Sequence, residues 1–484
     1  MKLIFEKHKD GRRGFSYGSN CVLEAKPLPR KYCRAKAAIL PSLSELDVVR
    51  HYTNLSRLNF SVDTNFYPLG SCTMKYNPKF TEKVASFEGF LQLHPLLPQL
   101  SGGGKLAQGS LEVLYETEKL LCEITAMSAF TMQPLAGAHG ELTGVMLIAA
   151  YHKDKGSRRK YVIVPDSSHG TNPASAAIAG YQVKVIPTGP DGYMDLAEFK
   201  KELSDEVAAV MLTCPDTLGI FNPRIKEITD LAHKAGALMY YDGANLNAML
   251  GKCRPGDIGF DVVHLNLHKT FATPHGGGGP GAGPVGVSEK LAEFLPISRV
   301  VKRSDGSYAL DYNYHKSIGY IAPFYGNFGV ILKAYAYMLI LGKEGLTKAA
   351  EIAVLNANYC QAKLKDWYDL PFSKNCMHEC VFSAARQVKY GVHAIDIAKY
   401  LIDKGFHPPT IYFPLIVSEA LMIEPTETES KETIDAFIDT MIEIARLAKE
   451  NPSLIKQAPL NMPVKRLDEV RAARDPDLSW KPKI

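Results

Sequence analysis

The spacing of apolar and polar positions changes character along the chain. Residues 1 to about 80 show no clear periodicity and are rich in proline, as in Tyr67-Pro-Leu-Gly-Ser-Cys-Thr-Met-Lys-Tyr-Asn-Pro78. This stretch predicts an extended arm with turns. Such an arm needs a surface to pack on, either the rest of the chain or a second subunit. From about 108 the pattern becomes regular, and Leu111 to Ile124 carries apolar residues at helical spacing. β-type runs then alternate with helical segments. The runs are Ala129 to Met132, Tyr161 to Val164, Gln182 to Ile186, Ala208 to Thr213, Ala237 to Tyr241 and Val262 to Leu267. Successive strand–helix units predict an α/β fold: a mostly parallel sheet with helices on both faces. Ligands in such folds sit at the carboxyl ends of the strands, so the residues just after each run are where chemistry is expected.

After about 330 the pattern changes again. Phe328 to Leu341 predicts a mainly apolar helix linking two domains, and a smaller α+β region follows. Its candidate strands lie near Glu379 to Ser383 and Leu415 to Val417. A helix begins in Pro425-Thr-Glu-Thr-Glu-Ser-Lys-Glu, with acidic residues in its first turn as the helix dipole favours. Its predicted core stripe is Ile434, Phe437, Ile438, Met441, Ile442 and Ala445. The tail from Asn451 is rich in proline and charge and is expected on the surface. The expected division is an arm over 1–80, a large domain over 81–330, a small α+β domain over 331–450 and a tail over 451–484. There is no internal repeat and no low-complexity segment.

Composition narrows the function classes. The chain has 484 residues, enough for a large buried core, and a formal net charge of only +5. It shows no basic stripe of the kind that nucleic acid requires. No run approaches the roughly 18 apolar residues of a membrane span. The first ten residues interrupt their apolar positions with charge, unlike a secretory signal. The nine cysteines (21, 33, 72, 122, 214, 253, 360, 376 and 380) are an odd number and scattered. Reduced thiols and a cytoplasmic location are therefore expected, with no disulfide framework. Cys376-Met-His-Glu-Cys380 is the one short run resembling a metal site; it lacks a second ligand pair at zinc spacing, so no metal is expected.

The strand ends carry the chemistry. Gln133-Pro-Leu-Ala-Gly-Ala-His-Gly-Glu141 opens what reads as a helix with small residues, and free N–H groups at a helix start bind phosphate well. Alone, it is equally a strand–helix turn without a ligand. His169 follows the second run; an imidazole there can stack on an aromatic cofactor and exchange protons, or simply pack in its loop. Thr213 and Asp216 end the fourth run and either bond a ring hydroxyl or form a proline turn. Asp242 ends the fifth. A carboxylate there can pair with a pyridinium N–H, and the small Ala244 leaves room for a ring face; an Asp capping the next helix is the alternative. Lys269 follows the last run, between His268 and Thr270 and ahead of a glycine cluster. A lysine at the end of a buried strand is placed to act as a Schiff-base nucleophile. A phosphate turn, a histidine, an Asp at a strand end and a Lys after the next strand occur in the order that pyridoxal 5'-phosphate (PLP) chemistry uses in fold type I.

At these residues the chain resembles a known family: glycine dehydrogenase (decarboxylating), the P-protein of the glycine cleavage system, in the PLP-binding subunit of its two-subunit form, subunit 2. The matching blocks run nearly end to end: residues 68–78, 136–141, 169–175, Asn266-Leu-His-Lys-Thr-Phe271, 276–281, Phe324-Tyr-Gly-Asn-Phe-Gly329, Glu424-Pro-Thr-Glu-Thr-Glu-Ser430 and 466–474. The resemblance implies the PLP-dependent transferase fold type I. It implies PLP held as an aldimine on Lys269, Asp242 on the pyridine nitrogen and His169 stacked on the ring. The backbone of Ala138 and His139, with His268, is implied near the phosphate. Two blocks depart from the family pattern. Thr213-Cys-Pro-Asp-Thr217 stands where Thr-Asn-Pro-Asn/Ser-Thr is expected. Ser317-Ile-Gly-Tyr-Ile-Ala-Pro323 lacks an expected arginine.

The activity this implies is decarboxylation of glycine and transfer of the aminomethyl group to the lipoyl disulfide of the H-protein. That disulfide is the oxidant, so no dinucleotide site is required. A chain of 484 residues is shorter than the fused enzyme that carries both halves. A homologous subunit 1 is therefore implied, in an α2β2 assembly, and the arm would wrap that partner. Gly276 to Gly279 are expected to shape the mouth of the site near the subunit interface. The competing readings are another fold type I amino-acid decarboxylase or lyase, and a non-catalytic scaffold paralogue.

Overall fold

A computed structural model of the chain describes residues 2–15, 27–36 and 38–480. The chain divides into two compact units, Met1–Thr64 with Pro459–Ile484, and Asn65–Ala458. In the first, the helix Glu45–Ser56 starts on a capping box in which the Ser44 hydroxyl accepts from the Asp47 N–H. Near the termini Phe5 stacks on Trp480 with centroids 4.7 Å apart. Residues 65–80, expected as arm, pack within the second unit, and so do residues 451–458, expected as surface tail. Ile455 and Ala458 are fully buried there, because the short helix Pro452–Gln457 turns its apolar side into a core.

The second unit is built on a seven-stranded sheet of β1 (Ala129–Thr131), β2 (Tyr161–Pro165), β3 (Gln182–Ile186), β4 (Val207–Thr213), β5 (Leu238–Gly243), β6 (Val262–Leu265) and β7 (Val285–Val287). The spatial order is β1-β7-β6-β5-β4-β2-β3. All are parallel except β7, which runs antiparallel between β1 and β6. β7 has only three residues after a glycine-rich loop, too few for a period to show. Strand side chains alternate between faces, and here both faces are covered. Met239 and Tyr241 join one core with Ile228 and Ala232 of the helix Ile225–Lys234. Leu238 and Tyr240 join the other with Leu147 and Ile148 of the helix Gly137–Asp154. That helix seats closely on the sheet through Gly137, Gly140 and Gly144. A Cβ at Gly144 would lie 2.4 Å from the Tyr240 ring.

The helix expected over Phe328 to Leu341 continues after a break at Gly342 (φ 57°, ψ −169°) as far as Leu364. Its second half packs on a smaller sheet in which Ala420–Ile423 lies between Cys380–Ser383 and Thr410–Ile411, antiparallel to both. Leu415 to Val417, expected as a strand, is a turn: the Val417 N–H donates to the Pro414 carbonyl and Leu415 is 85% exposed. In the helix Lys431–Glu450 the buried stripe ends on Ile444 and Ala448. Ile442 and Ala445 lie at its edge, because the stripe drifts around a helix of 3.6 residues per turn.

Candidate active site

The parallel register brings three polar side chains into line at the carboxyl ends of neighbouring strands. Thr213 of β4 is paired with Asp242 of β5, and Asp242 with His264 of β6. His264 is fully buried beside Asp242, and Thr213 and Asp242 open onto a cavity of about 210 Å³. Its lining includes Gly137, Ala138, His169, Thr213, Asp242, Ala244 and Lys269. Sequence candidates spread over more than 130 positions thus meet in one place. His139 and His268 lie outside this lining. The Leu135 N–H donates to His139 Nδ1 at 3.2 Å, and the Ala282 N–H to His268 Nδ1 at 3.4 Å.

Lys269 Nζ donates to the Ser71 carbonyl oxygen at 2.7 Å. Ser71 has φ 67°, a left-handed conformation rare for a residue with a side chain and typical of functional sites. Asp242 is buried. Asn172 Nδ2 donates to its Oδ2 at 2.9 Å, the Ala244 N–H to its Oδ1 at 3.1 Å, and His264 Nε2 lies 3.3 Å from Oδ1. Burial alone would push this carboxyl up; His264, Asn172, the Ala244 N–H and the Lys269 charge together hold it below its ordinary value. Glu141 behaves oppositely. Burial and the Asp242 charge push it up to about 7, although Thr171 and Asn172 donate to it. His169 is shifted down, chiefly by its partial burial, and its Nδ1 is engaged with Thr171.

The residues present fit PLP on several independent counts. The helix Gly137–Asp154 has no side-chain cap at Ala136, and its first turn lines the cavity, leaving N–H groups for an anion. Gly137 has no Cβ because one would lie 2.7 Å from Asn266 Oδ1. Thr213 Oγ1 is buried without a partner among the described residues. A carboxylate held ionised, a lysine amine and an unsatisfied hydroxyl are the groups a pyridine ring with a carbonyl and a ring hydroxyl would use.

Several contributors were not singled out from sequence. Asn172 lies in the block 169–175, and only the fold shows that it joins Glu141 to Asp242. Ser71 reaches the cavity from the proline-rich stretch. His378 and Glu379 line it from the small α+β region, while Cys376 and Cys380 of the same run are buried in that region's core. The eight described cysteines are all unpaired, and Cys21 lies outside the described residues. No described helix is long and apolar enough to cross a membrane.

A buried ion pair locks the Ser71 segment against the lysine turn. Lys75 Nζ donates to Glu427 Oε1 and to the Thr270 carbonyl, both at 2.7 Å, and lies 3.3 Å from the Tyr337 hydroxyl. Both charges are almost fully shielded from water. Lys75→Met leaves the Glu427 carboxyl buried without its partner, at an expected cost of about 3–5 kcal/mol in urea unfolding. The paired change Lys75→Met with Glu427→Leu is expected to recover most of that. A single variant as stable as the parent would show the pair to be inert.

The family model described as "Glycine cleavage system P-protein" matches residues 34–309, and "Glycine dehydrogenase, C-terminal domain" matches 349–461. A protein of Caldanaerobacter subterraneus subsp. tengcongensis is 58% identical over 99% of this chain and 98% of its own length. One of Listeria monocytogenes is 55% identical over 100% of this chain and 99% of its own. Both are named "Probable glycine dehydrogenase (decarboxylating) subunit 2". A crystal structure of a glycine decarboxylase (P-protein) of the glycine cleavage system superimposes with a TM-score of 0.71 at 21% identity, covering 86% of this chain and 93% of that one. A Lactobacillus brevis glutamate decarboxylase gives 0.66 at 13% identity, over 88% of this chain and 96% of its own. The fold is that of the fold type I PLP enzymes, as the resemblance implies, and its mostly parallel sheet is the one the strand pattern predicts.

Proposed function

The chain belongs to the glycine cleavage system P-protein family, and on that premise we propose that it is the PLP-carrying subunit of a two-subunit glycine dehydrogenase (decarboxylating). The observation that carries this is that Thr213, Asp242 and Lys269 line one cavity, with His264 buried beside Asp242 and an uncapped helix start at the cavity's edge. PLP, when bound, supplies an electron sink for the pair of electrons left when the substrate loses CO2.

The chain's own residues do the rest. Lys269 Nζ holds the cofactor's carbonyl carbon and gives it up to glycine's amine. Asp242, kept ionised by its donors, keeps a proton on the ring nitrogen. The N–H groups of Gly137 and Ala138 hold the phosphate, and the Thr213 hydroxyl takes the ring oxygen. His169 covers a ring face and, with the freed Lys269, is placed to move protons. No arginine lines the described cavity. A substrate carboxylate that must leave is better held loosely, since tight ground-state binding raises the barrier. The aminomethyl group then passes to the lipoyl disulfide of an H-protein.

A homologous subunit 1, in an α2β2 assembly, completes the enzyme. Leu28, Tyr32, Ile39 and Leu40 of the first unit are each at least 67% exposed, apolar surface suited to a partner chain. With that partner and a lipoylated carrier present, label from bicarbonate is expected to enter the glycine carboxyl. Exchange at the same rate without the carrier would instead indicate a decarboxylase of another kind.

A further inference from the structure

Glu379 is the carboxylate of the lining with the fewest commitments. Asp242 is assigned to the ring nitrogen. Glu141 accepts from Thr171 and Asn172, and Asp216 accepts the N–H groups of Leu218 and Ile220 in its own loop. Glu379 accepts one bond, from the Ser71 N–H to Oε2 at 2.8 Å. The carbonyl oxygen of the same Ser71 receives Lys269 Nζ. A single residue therefore separates this carboxylate from the amine.

Behind Glu379 lies a second buried acid. A carboxylate oxygen of Glu379, one of Glu424 and a ring nitrogen of His378 lie within 4.8 Å of one another. Glu424 Oε1 accepts from Thr73, Asn245 and Asn247, while Oε2 is buried without a partner among the described residues. Two carboxylates so close and so dry cannot both ionise readily, so the pair tends to keep a proton.

We propose that Glu379, backed by Glu424, is the acid–base group that takes the proton an incoming amino acid's ammonium must lose, and returns it to the departing amine. The inference rests on the amine exchange at Lys269 put forward above. An ammonium has no free electron pair, so an N–H bond must break before its nitrogen can attack. That proton goes to a carboxylate oxygen of Glu379, and the nitrogen keeps the electron pair. As Lys269 departs, the O–H bond breaks and the proton passes to its amine. The charged and titratable groups around the pair are Lys269, Asp216, His378, Cys72 and Cys380. Burial and the Glu424 charge push Glu379 up to about 8, and burial pushes Glu424 up to about 7. His378, driven down to about 3 by burial, is neutral over this range and adds no charge.

The test uses the assembled complex and its glycine-induced change in cofactor absorbance. The rate of that change is expected to rise as pH climbs through about 7 to 8, where the pair becomes able to accept a proton. Glu379→Gln should slow it about 100-fold or more and flatten the rise, with cofactor still bound. Glu379→Asp should keep the rise at a reduced rate. Glu424→Gln removes the repelling neighbour and should move the midpoint to lower pH, which covers the case where Glu379→Gln does not fold. An unmoved midpoint, or a Glu379→Gln profile like the parent's, overturns the proposal. Infrared titration of the cofactor-free complex is independent of substrate: a band of un-ionised carboxyl should fade between pH 6 and 9 in the parent and be weaker in Glu379→Gln, where Glu141, Asp216 and Glu424 still contribute, and an equal band in both overturns the proposal. Absence of the band in the parent also overturns it. If glycine leaves the parent's spectrum unchanged, it is the functional reading that fails, and the infrared titration still decides this one.

Discussion

Replacing Lys269 by alanine is expected to remove the absorbance of a lysine-bound pyridoxal from the purified complex and to lower glycine turnover by about a thousandfold or more. The reason is positional. Lys269 follows a fully buried strand, lines the cavity opposite Asp242, and has its amine held at 2.7 Å by a backbone carbonyl. Apart from it, the lining of the described cavity contains no lysine or arginine that could take its place. Folding should be little affected, because the side chain's one recorded hydrogen bond is to Ser71. A variant that keeps the absorbance would move the cofactor to another amine.

The second large effect is expected at Asp242. Asp242→Asn keeps the shape and loses the charge. Turnover should fall by about 100- to 10,000-fold, the scale of losing a preorganised charge or proton partner. The cofactor should remain attached, since Lys269 is untouched. Thermal unfolding should change little. The lost charge also relieves its repulsion of Glu141, while one of the donors from Asn172 and Ala244 meets an amide N–H2 instead of an oxygen. An Asp242→Asn enzyme with undiminished turnover would assign that carboxylate a structural role only.

How much of this was legible in the sequence follows from how far each feature is set by local pattern. β2, β4, β5 and β6 are buried on both faces and therefore read as near-continuous apolar runs, while the edge strand β3 is largely exposed; the mostly parallel arrangement was predicted by the strand–helix spacing. Residues at the ends of such strands are predictable site positions, and Thr213, Asp242 and Lys269 lie there. β7 was not legible, because a three-residue antiparallel insert has no period. Leu415 to Val417 misled in the other direction: an apolar trio beside Pro414 looks like a strand, but its Leu415 points to solvent. Ser71 and Glu379 stayed hidden for a different reason. They enter the cavity from segments about 200 and 110 residues away from Lys269 in sequence, brought in by tertiary packing that no window of residues contains. The same packing gives the Lys75–Glu427 pair, whose members are 352 residues apart.

The claim on which the rest depends is that the cofactor sits on this lysine of this subunit. Reduction of the assembled complex with borohydride fixes a lysine-bound pyridoxal, and peptide mapping then locates it. The pyridoxyl mark is predicted on Lys269 alone. A mark on another lysine of this chain, or only on the partner subunit, would contradict the account.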